Sequence, residues 1–162
     1  MKTIILQSAM VIALTAGASS LAFAGDNMPF KKEIKARQSF MQVYAYNLGL
    51  LGAMAKEKAP YDAKIASAAA NNLLAAANMD NGTMWPKGSD AEAKGLDGKT
   101  RAKPDIWTTY PKVKEKSKHL KEALTLMAAE AGNGLAAVKT NMGAVGKGCK
   151  GCHKAFRVPK DE

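Results

Sequence analysis

Cysteine is nearly absent from this chain. Its 162 residues include two, Cys149 and Cys152, and both lie in one short stretch. A disulfide framework is therefore excluded, and a bridge between these two would close too small a loop to add much stability. Histidine is as scarce, with only His119 and His153. A four-ligand zinc cage would have to recruit the adjacent pair Cys152 and His153, which is geometrically awkward. Aromatic residues make up 6% of the chain. No alternating strand pattern is found, which removes the βαβ setting that a thioredoxin-like redox pair needs. Beyond the N-terminal segment no apolar run is long enough to cross a bilayer. Acidic side chains are outnumbered 14 to 24 by lysine and arginine, for a formal net charge of +10.

The N-terminus has the grammar of an export signal. Met1-Lys2 is a positive start, Ile4 to Ala16 is mostly apolar, and Ala22-Phe23-Ala24 is an A-x-A cleavage site. Residues 1–24 are expected to be removed, leaving one exported domain over 25–162. Export makes nucleic acid an unsuitable partner for the positive charge. Part of that charge, Lys147, Lys150, Lys154, Arg157 and Lys160, clusters near the C-terminus. It forms either a solvated helix face or a rim that steers an acidic redox partner.

The two cysteines belong to Cys149-Lys150-Gly151-Cys152-His153, which reads C-x-x-C-H, the attachment pattern of a c-type haem. Each thiol at this spacing can form a thioether to a haem vinyl group. The histidine that follows is then held under the iron as an axial ligand. The motif sits close to the C-terminus rather than near the start of the domain.

Helical periodicity covers most of the rest. The first helix is expected over about 29–56, with Asp26 and Asn27 as candidate caps and Pro29 in its first turn. Ile34, Met41, Leu48 and Ala55 recur every seven residues, with Arg37, Tyr44 and Leu51 between them, a bundle-type seam. Arg37 occupies a seam position where an apolar residue belongs, and a charge there is either a fault in the pattern or a sign of function. The second helix opens at Asp62 and runs to about Asn78. Its alanines reflect helix propensity or a close-packed contact, within the bundle or between subunits. A long connection, Met79 to about Lys103, carries Trp85, which would cover either a haem face or the bundle core. The third helix starts near Pro104-Asp105, with a break expected at Tyr110-Pro111, and bears the stripe Val113, Leu120, Leu124, Met127 and Ala131. The fourth carries Leu135, Val138, Met142, Val145, Cys149, Cys152 and Phe156 at alternating three-and-four spacing. Both cysteines thus lie on the inner seam of the last helix, and the haem is expected inside one end of an all-α, antiparallel four-helix bundle.

The other axial side is less determined. Met41 stands one turn after Arg37 on the first helix. A haem propionate beside Arg37 would place Met41 over the iron. Met/His ligation would give a closed electron carrier. An uncoordinated Met41 would leave five-coordinate iron in an apolar pocket suited to small neutral gases. His119 falls beside the Leu120 stripe and reads as a surface residue.

These features together resemble the class II cytochromes c, cytochrome c′ and its relative cytochrome c556. The resemblance rests on Cys149–Arg157, on Arg37-Gln38-Ser39-Phe40-Met41, on Met84-Trp85-Pro86-Lys87-Gly88 and on Arg101–Trp107. It implies one haem c bound through Cys149 and Cys152, axial ligation by His153, a periplasmic location and a homodimer packed through the first two helices. It further implies haem contacts from Arg37, Gln38, Arg101 and Arg157. Met41 matches the distal position, where a c′ protein leaves the iron open to NO or CO and a c556 protein ligates it. Three functions follow: a high-spin c′ that transfers electrons and binds gases, a low-spin electron carrier with Met41 as sixth ligand, or a gas-binding protective protein without a redox partner. No acid/base set accompanies the motif, so an enzyme is not expected.

Overall fold

The computed structural model describes residues 28–160. The expected signal segment and the cap candidates Asp26 and Asn27 lie outside the described residues. Four long helices, α1 (Lys31–Ala55), α2 (Ala63–Asn78), α4 (Tyr110–Glu130) and α5 (Leu135–Phe156), are joined by a one-turn α3 (Asp105–Thr108) and a 3₁₀ turn at Gly82–Met84. The described residues hold no strand, only an isolated bridge between Ala102 and Arg157.

Local chemistry explains most boundaries. The Asp62 carboxylate accepts from the Ile65 amide at 2.8 Å and caps α2. The expected break in the third helix appears at Thr109, and Pro111 sits in the first turn of α4 where its missing N–H is harmless. The start of α1 differs from expectation. Phe30 is the N-cap, at φ 52°, with no side-chain bond, and Pro29 precedes the helix rather than entering it.

The long helices pack in a ring, α1 on α2, α2 on α4, α4 on α5 and α5 on α1. Leu51, Met54, Leu73, Leu124, Met127, Val138 and Val145 form the core between them. The alanines of α2 have a clear role here. Ala66, Ala69, Ala70 and Ala76 are buried within this one chain, where their small size brings α2 close to its bundle partners, while Ala68 and Ala75 are exposed. One end of the bundle is tied shut. The Tyr61 hydroxyl donates to the Ala131 carbonyl and accepts from the Gly134 amide, each at 2.9 Å, while Lys139 pairs with Glu57. The opposite end carries the C-terminus of α5 and the long connection.

The seam of α1 is shifted from the one expected. Ile34, Arg37 and Leu51 are buried, but so are Phe40, Asn47 and Met54, while Met41 is 40% exposed and Leu48 only half-buried. A straight helix drifts about 20° per heptad against a strict seven-residue repeat. The inward line therefore moves off the Met41–Leu48–Ala55 row.

Candidate functional site

Cys149, Cys152 and His153 are all half-buried on the last two turns of α5. Cys149 packs against the hydrophobic core, and the two thiols are not joined to each other. Burial pushes both thiols up, and Cys152 is raised further by its neighbour Cys149, against a smaller downward pull from Arg157 and Lys116. Both therefore stay protonated at neutral pH. His153 is driven the other way. Burial, then the charges of Arg157 and Arg101, lower its pKa, so its imidazole is neutral and a lone pair is available for a metal.

A cavity of about 740 Å³ opens beside this face, lined by Leu48 of α1, by Gly146, Cys149, Lys150, His153 and Lys154 of α5, and by Arg101 and residues 157–160. Its size falls within the roughly 300–1,000 Å³ of cofactor pockets. The residues fit a covalent haem. Two thiols and an imidazole share one side of α5. Gly146 lines the wall, and a Cβ there would meet nothing within 4 Å, so that glycine leaves the space of the cavity clear. The lining holds five cations, Arg101, Lys150, Lys154, Arg157 and Lys160, and no carboxylate, which suits the two propionates of a haem. Gly148 does a different job. A Cβ there would stand 3.1 Å from the Leu120 backbone, so glycine allows α4 to approach α5 next to Cys149.

Of the residues singled out in the sequence, the cavity gathers Cys149, His153, Arg101, Arg157 and the lysines Lys150, Lys154 and Lys160. Cys152, Arg37, Gln38, Met41 and Trp85 are outside its lining. Met41 lies two turns from Leu48 on the same face of α1, about 10 Å along the helix. Arg37 is buried at 3% exposure among residues of the long connection, and its guanidinium lies 4.8 Å from the Trp85 ring centre. Trp85 thus packs on Arg37, and its carbonyl accepts from Trp107 Nε1 at 3.0 Å. Gln38 donates to the Lys99 carbonyl at 3.0 Å. Lys147 leaves the cationic rim and lines a separate groove between α4 and α5. His119 is exposed and stands 3.7 Å from Glu115 and 3.5 Å from Glu122. Among the described residues no group of three or more His, Cys, Asp or Glu side chains could hold a metal ion.

Sequence reasoning passed over Tyr44, Ser89 and Thr100. Tyr44 packs edge-on against Phe40 at 5.3 Å, and burial, followed by the nearby Cys149, pushes its hydroxyl up to about 12. Its seam position was the available signal. Ser89 and Thr100 are buried polar residues in a loop without periodicity, and nothing in the sequence pairs them with Arg37.

Comparison with known proteins gives a consistent result. The family model described as "Cytochrome C'" matches residues 32–157. A cytochrome c-554 from Cereibacter sphaeroides is 39% identical over 132 residues, covering 82% of this chain and 97% of that protein. Among solved structures, a cytochrome c′ from Rhodobacter Spheriodes superposes with a TM-score of 0.76 at 32% identity, covering 81% of this chain and 98% of that one. A cytochrome c′ described as having ligand-controlled dimer dissociation gives 0.70 at 28% identity, with 80% and 97% covered. A ferrous variant of cytochrome c prime from Alcaligenes xylosoxidans with bound NO gives 0.67 at 26% identity, with 81% and 97% covered.

Proposed function

Because the chain belongs to the cytochrome c′ family, a class of four-helix bundles that hold a haem c through two cysteines, here Cys149 and Cys152, we propose that it is a periplasmic cytochrome c′ with high-spin, five-coordinate iron that transfers electrons and binds NO or CO. When bound, the haem supplies reversible one-electron chemistry at iron and a coordination position for a small ligand. The residues around it do the rest. His153, kept neutral by burial and by Arg157 and Arg101, would hold the iron through its imidazole. Arg101 and Arg157 meet the propionate charges. Leu48 lends the cavity an apolar wall that favours neutral diatomic gases over polar ligands.

The observation that carries this reading is the position of Met41. It is 40% exposed and outside the cavity lining, while Leu48, two turns further along α1, lines the cavity together with His153. The expected ferric spectrum therefore lacks a methionine-to-iron charge-transfer band, and Met41→Ala leaves the spin state unchanged. A band that disappears in Met41→Ala would replace this reading with the second one, a low-spin electron carrier with Met41 as sixth ligand.

The cationic lining supports an acidic redox partner. Reduction by such a protein is expected to slow several-fold between about 0.01 and 0.15 M salt as the Debye length contracts. A flat salt response would remove the steering role. Val43 and Tyr46 expose apolar surface on α1, Tyr46 at 69%, and support a homodimer packed through α1 and α2. Tyr46→Glu should then elute as a monomer where the parent holoprotein elutes as a dimer, and a monomeric parent would refute the assembly. Among the described residues no helix is long and apolar enough to cross a membrane.

A further inference from the structure

A second groove, of about 430 Å³, runs between α4 and α5 on the side of α5 turned away from the cavity. No described residue lines both, and α5 stands between them. The floor of the groove includes Gly148 and Gly151, and each is bonded directly to an attachment cysteine, Gly148 to Cys149 and Gly151 to Cys152. Neither glycine has a side chain to hold a visitor off the backbone of the motif. A surface seated in the groove is thus one peptide bond and one side chain from each thioether sulfur.

The groove has two unlike ends. Ala123, Leu126 and Ala144 make one end apolar, and Leu126 is 58% exposed. Beside the motif the walls are cationic. Lys147 precedes Gly148, and a Cβ at Gly151 would meet the stem of Lys116 at 3.9 Å. The neighbouring carboxylates are already engaged. Glu122 stands 3.5 Å from His119 and 3.8 Å from Lys118, and Glu115 pairs with Lys116 at 2.9 Å. Across the two helices the balance is positive: α5 bears four lysines and no acidic residue, and α4 bears five lysines against three glutamates. A second copy of this chain would bring the same cations and be repelled. A flat bilayer surface would rest on the ridges and leave the apolar end unfilled. The complement of this groove is a convex acidic protein surface with an apolar side chain to bury beside Leu126.

We propose that the groove between α4 and α5 is the docking site of an acidic one-electron donor protein, with the Gly148–Cys149 and Gly151–Cys152 segments as the path to the haem. The inference rests on the reading that the chain is a haem c electron carrier with an acidic partner. One electron leaves the reduced centre of the donor and converts ferric iron to ferrous, and no proton or bond is exchanged. The salt dependence expected of the partner then arises at Lys116 and Lys147 rather than at the mouth of the cavity.

The test uses the holoprotein and, as probe, a plant-type [2Fe–2S] ferredoxin, an acidic one-electron protein. Oxidised ferredoxin is coupled to the ferric holoprotein with a carbodiimide, which joins a carboxylate to a lysine in contact with it. Cross-links are expected at Lys116 and Lys147. Reduced ferredoxin is then mixed with the ferric holoprotein in stopped flow. Lys147→Glu should slow reduction about tenfold at about 0.01 M salt, with the loss fading by about 0.5 M as the charges are screened. Ala144→Trp fills the apolar end from an exposed position and should slow reduction about fivefold at every salt concentration, because the obstacle is steric. Lys64→Glu, the same charge change at an exposed site on α2, should stay within about twofold of the parent. Reduction potentials should be equal in all of these proteins, which separates docking from any change at the haem. Cross-links at Lys150 and Lys160 in place of Lys116 and Lys147, with Lys160→Glu slowing reduction more than Lys147→Glu, would put the partner at the cavity mouth and overturn the proposal. Binding to phosphatidylglycerol vesicles that Lys147→Glu abolishes, with reduction by ferredoxin untouched by either groove variant, would give this face to a membrane and overturn it equally. A parent holoprotein that ferredoxin reduces at a rate independent of salt would remove the underlying reading of an acidic partner, and the docking site with it.

Discussion

A Cys149→Ser/Cys152→Ser variant is expected to lose essentially all of its haem to acidified acetone, whereas the parent chain keeps its haem through the same extraction. The reason is the kind of bond at stake. Each thiol adds across a vinyl group and leaves a carbon–sulfur bond that acid and organic solvent do not break. Without the thiols, retention depends on His153 and the cations Arg101, Lys150, Lys154, Arg157 and Lys160. Acid protonates both the imidazole and the propionates, which removes the axial bond and the charge pairing together. Each single variant keeps one thioether and should keep its haem. The bundle itself should survive the double change, because serine is close to cysteine in size and both positions are only half-buried. Cys149 does pack on the core, so a loss of about 1–3 kcal/mol is expected from placing a hydroxyl there. Haem that stays with the double variant through extraction would show that neither thiol carries the covalent link.

The parts of this architecture that could be read in advance are those where one local rule acts alone. Asp62 caps α2 because its carboxylate reaches an amide three residues on, with no distant partner needed. Pro111 marks the start of α4 because it cannot accept a position deeper in a helix. On α5 the spacing from Val138 through Val145 to Phe156 matches the residues that are buried, and Cys149 packs beside them on the core. The chemistry of the site was legible for a similar reason, since attachment is written into five consecutive residues.

Where tertiary partners decide, the sequence was silent or led slightly astray. Arg37 stood out as a charge on an apolar seam, yet its partners Ser89 and Thr100 lie 52 and 63 positions away in a segment without periodicity. A haem propionate was the only partner that local reasoning could supply. Met41 was placed on the inner seam by a seven-residue repeat, but α1 turns its buried line through Phe40, Asn47 and Met54. Asn47 is held there by its own helix, at the Val43 carbonyl, and by Asn72 of α2. A polar residue in a core position is invisible to a hydrophobic pattern. The alanines of α2 had two readings because helix propensity and close packing favour the same residue, and only the burial of Ala66, Ala69 and Ala70 separates them.

Leu124→Ala is expected to lower the melting temperature of the holoprotein by about 10 °C, the largest stability effect predicted here for a single side chain. Leu124 is fully buried, at 0% exposure, in the core that joins α4 to α2 and α5. Removing a buried leucine side chain costs about 2–5 kcal/mol, part from lost transfer energy and part from the cavity that remains. The site has little freedom to collapse. Met127 and Ala131 on the same stripe are also at 0% exposure, and Gly148 already brings α5 to within 3.1 Å of the Leu120 backbone at the position of a Cβ. A cost of about 3 kcal/mol in a domain of this size corresponds to roughly 10 °C. Leu126, two residues further along the same helix, provides the control because it is 58% exposed. Leu126→Ala removes the same atoms from a place where water already reaches them, so its effect should stay within about 0.5 kcal/mol. Thermal melts followed by helical circular dichroism measure both variants, and the covalent haem remains attached throughout, so unfolding is not confused with loss of cofactor. Equal shifts for Leu124→Ala and Leu126→Ala would refute the burial pattern of α4, and with it the packing that places α5 and its haem motif against the rest of the bundle.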